Sequence, residues 1–246
     1  MSTDIATFLK ARIAAPRVEA AAAPLHSEQP CNPASSAGQA TILHGDCVEV
    51  LKQLDKESVD FVLTDPPYLV DYRARDGRSV ANDDNAEWLR PAFSQIYRVM
   101  KPATLCVSFY GWNRIDRFMD AWRDAGFRPV GHLVFRKTYA SSAGFLRYEH
   151  ESAYLLAKGR APLPARPIAD VIPFRYTQNK LHPTQKPVSA LKPLIEAFCP
   201  QDGIVLDPFA GSGSTLVAAK ELGRRSLGIE ISAEHHKTAT ARLHIT

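Results

Sequence analysis

The chain has 246 residues, 45% of them hydrophobic, 9% aromatic and 23% charged, which is enough apolar material for a real core and excludes a mini-protein. Its formal net charge is only +4, no apolar run approaches the roughly 18 to 20 residues of a membrane helix, and Met1-Ser2-Thr3-Asp4 does not begin an export signal, so a cytoplasmic protein with no membrane partner is expected. The four cysteines, Cys31, Cys47, Cys106 and Cys199, form no Cys-x-x-Cys pair, so neither a disulfide framework nor a metal site is expected.

Residues 4 to 15 place Ile5, Phe8, Leu9 and Ile13 on one face of a short amphipathic helix that Pro16 stops. An Ala-, Pro- and Ser-rich stretch follows, so residues 1–39 are taken as a helix plus extension and 40–246 as one folded domain. From there short β-rich runs alternate with helical ones. Strands are expected at Thr41–His44, Val59–Thr64, Ala103–Tyr110, Val130–Arg136, Ser152–Lys158, Ile204–Asp207 and Ser226–Glu230. Helices are expected at Cys47–Leu54, Trp88–Met100, Arg114–Ala125, Val188–Cys199, Thr215–Leu222 and Ala233–His244. This alternation predicts an α/β fold, a mostly parallel sheet of seven strands with helices on both faces, and ligands at the carboxyl ends of the strands. His235 and His236, on the last helix, read as surface residues.

Two strand ends carry chemistry. Asp65-Pro66-Pro67-Tyr68 directly follows the apolar run Val59–Thr64. Two prolines fix φ and end the strand, holding a carboxylate, a backbone carbonyl and an aromatic ring at the sheet edge. A carboxylate and a carbonyl accept the two hydrogens of an exocyclic amino group, and an aromatic face stacks on the ring that bears it. The second is Val205-Leu206-Asp207 followed by Pro208-Phe209-Ala210-Gly211-Ser212-Gly213-Ser214-Thr215: a strand, a tight glycine turn and a helix. It is no phosphate-binding P-loop, because no Gly-Lys-Ser/Thr follows, and Leu216 stands where a dinucleotide fingerprint needs its third glycine. The acid at the strand end favours a ligand with an ammonium group. Glu230, at the tip of the next strand about 20 residues on, is placed to hold a ribose diol.

Asp-Pro-Pro-Tyr together with Phe-Ala-Gly-Ser-Gly resembles the S-adenosylmethionine-dependent amino-group DNA methyltransferases, which modify adenine N6 or cytosine N4. The tetrapeptide precedes the glycine loop, the motif order of the circularly permuted β group. His44-Gly45-Asp46, His182-Pro183-Thr184-Gln185-Lys186-Pro187, and the stretch from Phe135 through Arg147, Glu149 and Glu151 to Lys158, similar to the family's closing β-hairpin, extend the resemblance over about residues 40 to 246. It implies a Rossmann-like methyltransferase fold. It implies that Asp65 and the Pro66 carbonyl bind the target amino group, with Pro67 fixing the turn and Tyr68 stacking on a flipped base. It further implies that Asp207, Phe209, Gly211, Ser212, Gly213, Glu230 and Asp46 line S-adenosylmethionine, with Thr184 and Lys186 as additional cofactor residues. The activity implied is site-specific adenine-N6 methylation of double-stranded DNA by direct transfer, because cytosine-N4 members more often begin the tetrapeptide with Ser. Cytosine-N4, RNA or protein methylation and a silent DNA-binding module are the alternatives. A carbon-directed mechanism would need a Pro-Cys nucleophile, and Pro30-Cys31 lies in the extension, upstream of every strand.

Between Arg128 and Lys192 eleven Lys and Arg face three Asp and Glu, a basic block suited to a polyanion. Arg73, Arg75 and Arg78, in a polar loop after the tetrapeptide, are expected to close over a flipped base. Arg160, Arg166, Arg175 and Lys180 are expected on DNA phosphates within a small target-recognition insert at about 159–181. A short target, a homodimer and a cognate restriction enzyme are the associated expectations.

Overall fold

The computed structural model describes residues 38–70, 83–140, 144–175 and 185–245. The expected helix at 4–15 and almost all of the extension lie outside these residues, as do Arg73, Arg75, Arg78, Lys180, His182 and Thr184.

Eight strands form one sheet: β1 Ala40–His44, β2 Val59–Thr64, β3 Met100–Phe109, β4 Arg128–Lys137, β5 His150–Ala157, β6 Val171–Phe174, β7 Ile204–Asp207 and β8 Arg225–Glu230. Their order is β1-β8-β7-β2-β3-β5-β4-β6. Every pairing is parallel except those of β5, which runs against β3 and β4. Seven strands were expected and all seven are present. The eighth, β6, lies inside the stretch expected to read the target. Val-Ile-Pro-Phe is too short and too proline-marked to stand out in sequence, and Pro173 is tolerated because β6 is an edge strand.

Among the described residues six α-helices cover the sheet: α1 Cys47–Lys52, α2 Leu89–Val99, α3 Ile115–Ala125, α4 Val188–Phe198, α5 Ser214–Glu221 and α6 Ala233–Ile245. α1, α2 and α3 pack together as one group and α4, α5 and α6 as another. The spacing of Leu89, Ala92, Phe93, Ile96 and Val99 gives α2 one buried face. It was expected to run to Met100, but Lys101 precedes Pro102 and is biased away from helix, so the chain turns straight into β3. α3 stops at Gly126, whose left-handed φ of 100° lets its N–H close on the Arg123 and Trp122 carbonyls. Phe61, Val107, Phe109, Phe135, Leu194 and Ile195 belong to one buried cluster, where α4 packs against β2, β3 and β6.

Candidate active site

The parallel strands all end at one edge of the sheet, and the chemistry-bearing segments converge there. β1 leads into Asp46, β2 into Asp65–Tyr68, β7 into the Asp207–Gly213 turn and β8 ends at Glu230. With Lys186, just before α4, they line one cavity of about 330 Å³, within the usual range for small-ligand sites. β2 and β7 are direct neighbours, so Asp65 and Asp207 open into the same space from adjacent strand ends.

On the β2 side, the Tyr68 hydroxyl donates to Asp65 Oδ1 at 2.8 Å and Lys186 Nζ donates to Oδ2 at 2.5 Å. Burial and the neighbouring carboxylates hold the Tyr68 phenol well above its ordinary range, so it stays a donor. Lys186 also meets Glu151 Oε2 at 2.9 Å, and Lys137 meets Glu151 Oε1 at 2.7 Å. Beyond Tyr68 the chain turns through Leu69 at φ 62°, a left-handed conformation unfavourable for a leucine. It is held by Asp83, whose carboxylate accepts the Leu69 and Val70 N–H groups at 2.7 and 3.4 Å, and by Arg114 Nε, which donates to the Leu69 carbonyl at 3.1 Å. Gly111 lies against this turn: a Cβ there would stand 2.7 Å from the Tyr68 carbonyl oxygen and 2.9 Å from its Cβ.

On the β7 side, Asp207 is buried, and the Phe209 N–H donates to its Oδ1 at 3.1 Å. Burial pushes its carboxyl up to about 7, and no cationic side chain among the described residues pairs with it. A buried carboxylate facing a cavity without a protein counter-ion is a fitting environment for a ligand's ammonium group. Gly211 and Gly213 turn the chain at φ 51° and 78°. A side chain at Gly213 would press on Ala239 of α6, 3.1 Å away. Glu230 accepts the Gly211 N–H at 2.7 Å and the Ser232 N–H at 2.8 Å, which fixes the carboxylate while leaving lone pairs for a diol. Arg242 braces the turn from behind, donating to the Ser212 carbonyl and Ser214 Oγ at 3.2 and 3.1 Å. Phe209 meets Trp88 edge-on with ring centres 5.0 Å apart. Asp46 caps α1, accepting from Val48 and Glu49 at 2.8 and 3.2 Å, and lines the cavity.

The structure therefore brings together Asp46, Asp65, Pro66, Pro67, Tyr68, Asp207, Phe209, Gly211, Ser212 and Glu230, with Gly213 completing the turn. Lys186, expected on the cofactor, lines the same cavity and is ion-paired with Asp65. Arg160 is not with the site. It follows β5, the one reversed strand, and the adjacent Lys158 carbonyl accepts from Ala103, near the start of β3, so it lies at the opposite end of the sheet. Arg166 and Arg175 are exposed, and Arg175 follows β6 at the site's end. The basic block is also weaker than its count, since Lys137, Lys158 and Lys186 are buried, Lys158 against the Tyr97 and Met100 carbonyls at the end of α2. His235 is half-buried and lines the cavity, and His236 lies 5.5 Å from the His44 ring, so neither is a plain surface residue. Sequence reasoning missed Asp83, Gly111 and Trp88. Asp83 sits in a polar Asn-Asp-Asp-Asn run, and Gly111 has no local signal beyond following a strand.

Comparison with known proteins bears on this geometry. A family model described as DNA methylase, covering N6 and N4 amino-group enzymes, matches residues 59–179 and 169–241. YubD of Escherichia coli K12, provisionally designated a methylase, is 56% identical over 201 residues, covering 82% of this chain and 88% of the relative. The DNA adenine methyltransferase YhdJ of the same strain is 30% identical, over 87% of this chain and 86% of the relative. The crystal structure of M1.HpyAVI in complex with S-adenosylmethionine superposes with a TM-score of 0.66 at 25% identity, covering 83% of this chain and all of the other.

Proposed function

Since the chain belongs to the DNA methylase family of N6 and N4 amino-group enzymes, we propose that it methylates adenine N6 in double-stranded DNA by direct transfer to a flipped-out base. The observation that carries this is the shared cavity at the ends of β2 and β7, with the Asp65 carboxylate and Pro66 on one side and the Asp207 and Glu230 carboxylates about the glycine turn on the other. Adenine is the preferred base because the tetrapeptide opens with Asp65 and because YhdJ, an adenine enzyme by name, aligns over most of the chain.

S-adenosylmethionine supplies an electrophilic methyl carried on a sulfonium. Asp207 is proposed to hold its ammonium, Glu230 its ribose hydroxyls and Asp46 its adenine end, with Gly211 and Gly213 allowing backbone to approach closely. The chain's own task is then to make a weak nucleophile reactive. An exocyclic amine shares its lone pair with the ring; hydrogen bonds to Asp65 and the Pro66 carbonyl pyramidalise the nitrogen and localise that pair. Tyr68 offers a stacking face for the extruded base, and Asp65 is the base at hand for the proton the methylated nitrogen sheds. The rim suits a duplex: Trp112, after β3, stacks on Tyr148 of the β4–β5 hairpin at 6.0 Å, and Phe145 and Leu146 at the hairpin tip are exposed beside Arg147.

Expression in a host free of DNA methylation, followed by modification-sensitive long-read sequencing, tests the reading. N6-methyladenine in one short context is the expected result; N4-methylcytosine would move the acceptor, and unmodified DNA would reject DNA methylation. Asp65→Ala should abolish transfer while S-adenosylmethionine still binds, as checked by calorimetry.

A further inference from the structure

Asp65 is one end of a buried run of alternating charges, Asp65–Lys186–Glu151–Lys137, drawn from the end of β2, the segment before α4, β5 and β4. The Lys186 side chain is only 6% exposed, and its ammonium lies between the two carboxylates and over the rings of Phe109 and Tyr68, 4.8 and 5.4 Å from their centres. The Tyr68 hydroxyl lies 3.3 Å from that ammonium. Lys137 binds the other oxygen of Glu151 and is itself buried, so the four groups form a neutral set locked across three strands and a loop.

We propose that Lys186 is a positioning residue for methyl transfer: the fixed counter-ion that keeps Asp65 charged and aimed, with Glu151 setting Lys186 in place. The inference rests on Asp65 being the acceptor for the target amino group. A carboxylate offers about four acceptor positions, and Tyr68 and Lys186 use two, one on each oxygen, leaving the others for the amine. Protonation would turn one of those oxygens into a donor and end its pull on the amine. Apart from the Tyr68 hydroxyl, whose hydrogen bond also favours the ionised form, the other groups that face Asp65 work toward protonation. Burial raises its affinity for a proton, Glu151 from β5 adds like charge, and Asp207 on β7 adds more when ionised; Tyr68 opposes them with one neutral hydrogen bond and carries no charge to balance theirs. Asp83, beside Tyr68, is a further carboxylate. Lys137 is spent on Glu151, so Lys186 is the cation in direct contact with Asp65.

The test is single-turnover transfer to DNA at saturating S-adenosylmethionine, followed from about pH 5.5 to pH 9. In Lys186→Met the acidic limb of the rate profile should move up by about one pH unit or more, with a loss of about tenfold or more at neutral pH that is partly recovered in alkali. Lys186→Arg, which keeps the charge, should restore the limb toward its original place. Glu151→Gln removes like charge near Asp65 but keeps an acceptor for Lys186, so its limb should move the opposite way. That opposed pair of shifts is not produced by loss of packing, and Glu151→Gln stands as a test even where Lys186→Met does not fold. Profiles parallel to the parent protein's would overturn the proposal, as would a Lys186→Met defect that lies wholly in the S-adenosylmethionine dissociation constant. The underlying reading fails on a different result, transfer by Asp65→Ala.

Discussion

The proposed contact between Asp207 and a ligand ammonium would make binding sense pH. The folded-state pKa of Asp207 is raised to about 7, above the ordinary aspartate value, so the free folded protein binds a proton that the unfolded chain has already lost. Stability from this group is thus present below the ordinary aspartate range and lost as pH rises toward about 7. An ammonium ligand has the opposite preference, because it needs the ionised carboxylate. S-adenosylmethionine affinity should therefore rise between about pH 6 and pH 8, and Asp207→Asn should bind weakly with no such slope, as calorimetry across that range would show. The Leu69 turn is a second residue-scale case. Its left-handed φ persists because Asp83 and Arg114 hold the peptides on both sides. Asp83→Ala should cost about 1 to 3 kcal/mol in denaturant unfolding by stranding the Leu69 N–H, and should lower the turnover rate by loosening Tyr68.

At the scale of elements, the ends of β2 and β3 are fitted to one another. Gly111 leaves room for the Tyr68 backbone, and Gly111→Ala would force them apart. A folded protein with a lowered turnover rate and nearly unchanged S-adenosylmethionine binding is expected, measured by steady-state kinetics and calorimetry. The β4–β5 hairpin projects from the same end of the sheet, and its tip exposes Phe145 and Leu146. Replacing both with Ser should weaken DNA binding in a mobility-shift assay and leave S-adenosylmethionine binding unchanged. The elements themselves were largely legible, since apolar periodicity marks α2 and short, nearly continuous apolar runs mark β2 and β7. What escaped was decided by pairing rather than by local pattern: β6 is a strand because β4 offers it an edge, and Lys101-Pro102 overrides the helical periodicity before it.

For the whole molecule, the sheet order turns distant sequence into one site. Asp65, Asp207 and Glu230 were legible because strand-end acids and a glycine turn have local signatures, whereas the Lys186–Glu151 contact depends on the reversed strand β5 lying next to β3 in the sheet, which no spacing reveals. Lys137 and Lys158 mislead in sequence for the same reason: a count of charges does not separate buried from exposed ones. The strand order has another consequence, at the far end of the sheet. Gly38, where the described chain enters, rests against Lys220, its N–H donating to the Gly223 carbonyl at 3.2 Å, and Lys220 Nζ in turn donates at 2.7 Å to the carbonyl of Leu243, near the end of α6. The two ends of the fold thus meet, away from the cavity. A short linker from Ile245 to Gly38, with new termini opened in the exposed stretch at 160–169, should give a chain that folds, binds S-adenosylmethionine and reads its motifs in the reverse order. Motif order in such a fold is then a matter of where the loop is cut, free to change between lineages without moving an atom of the site.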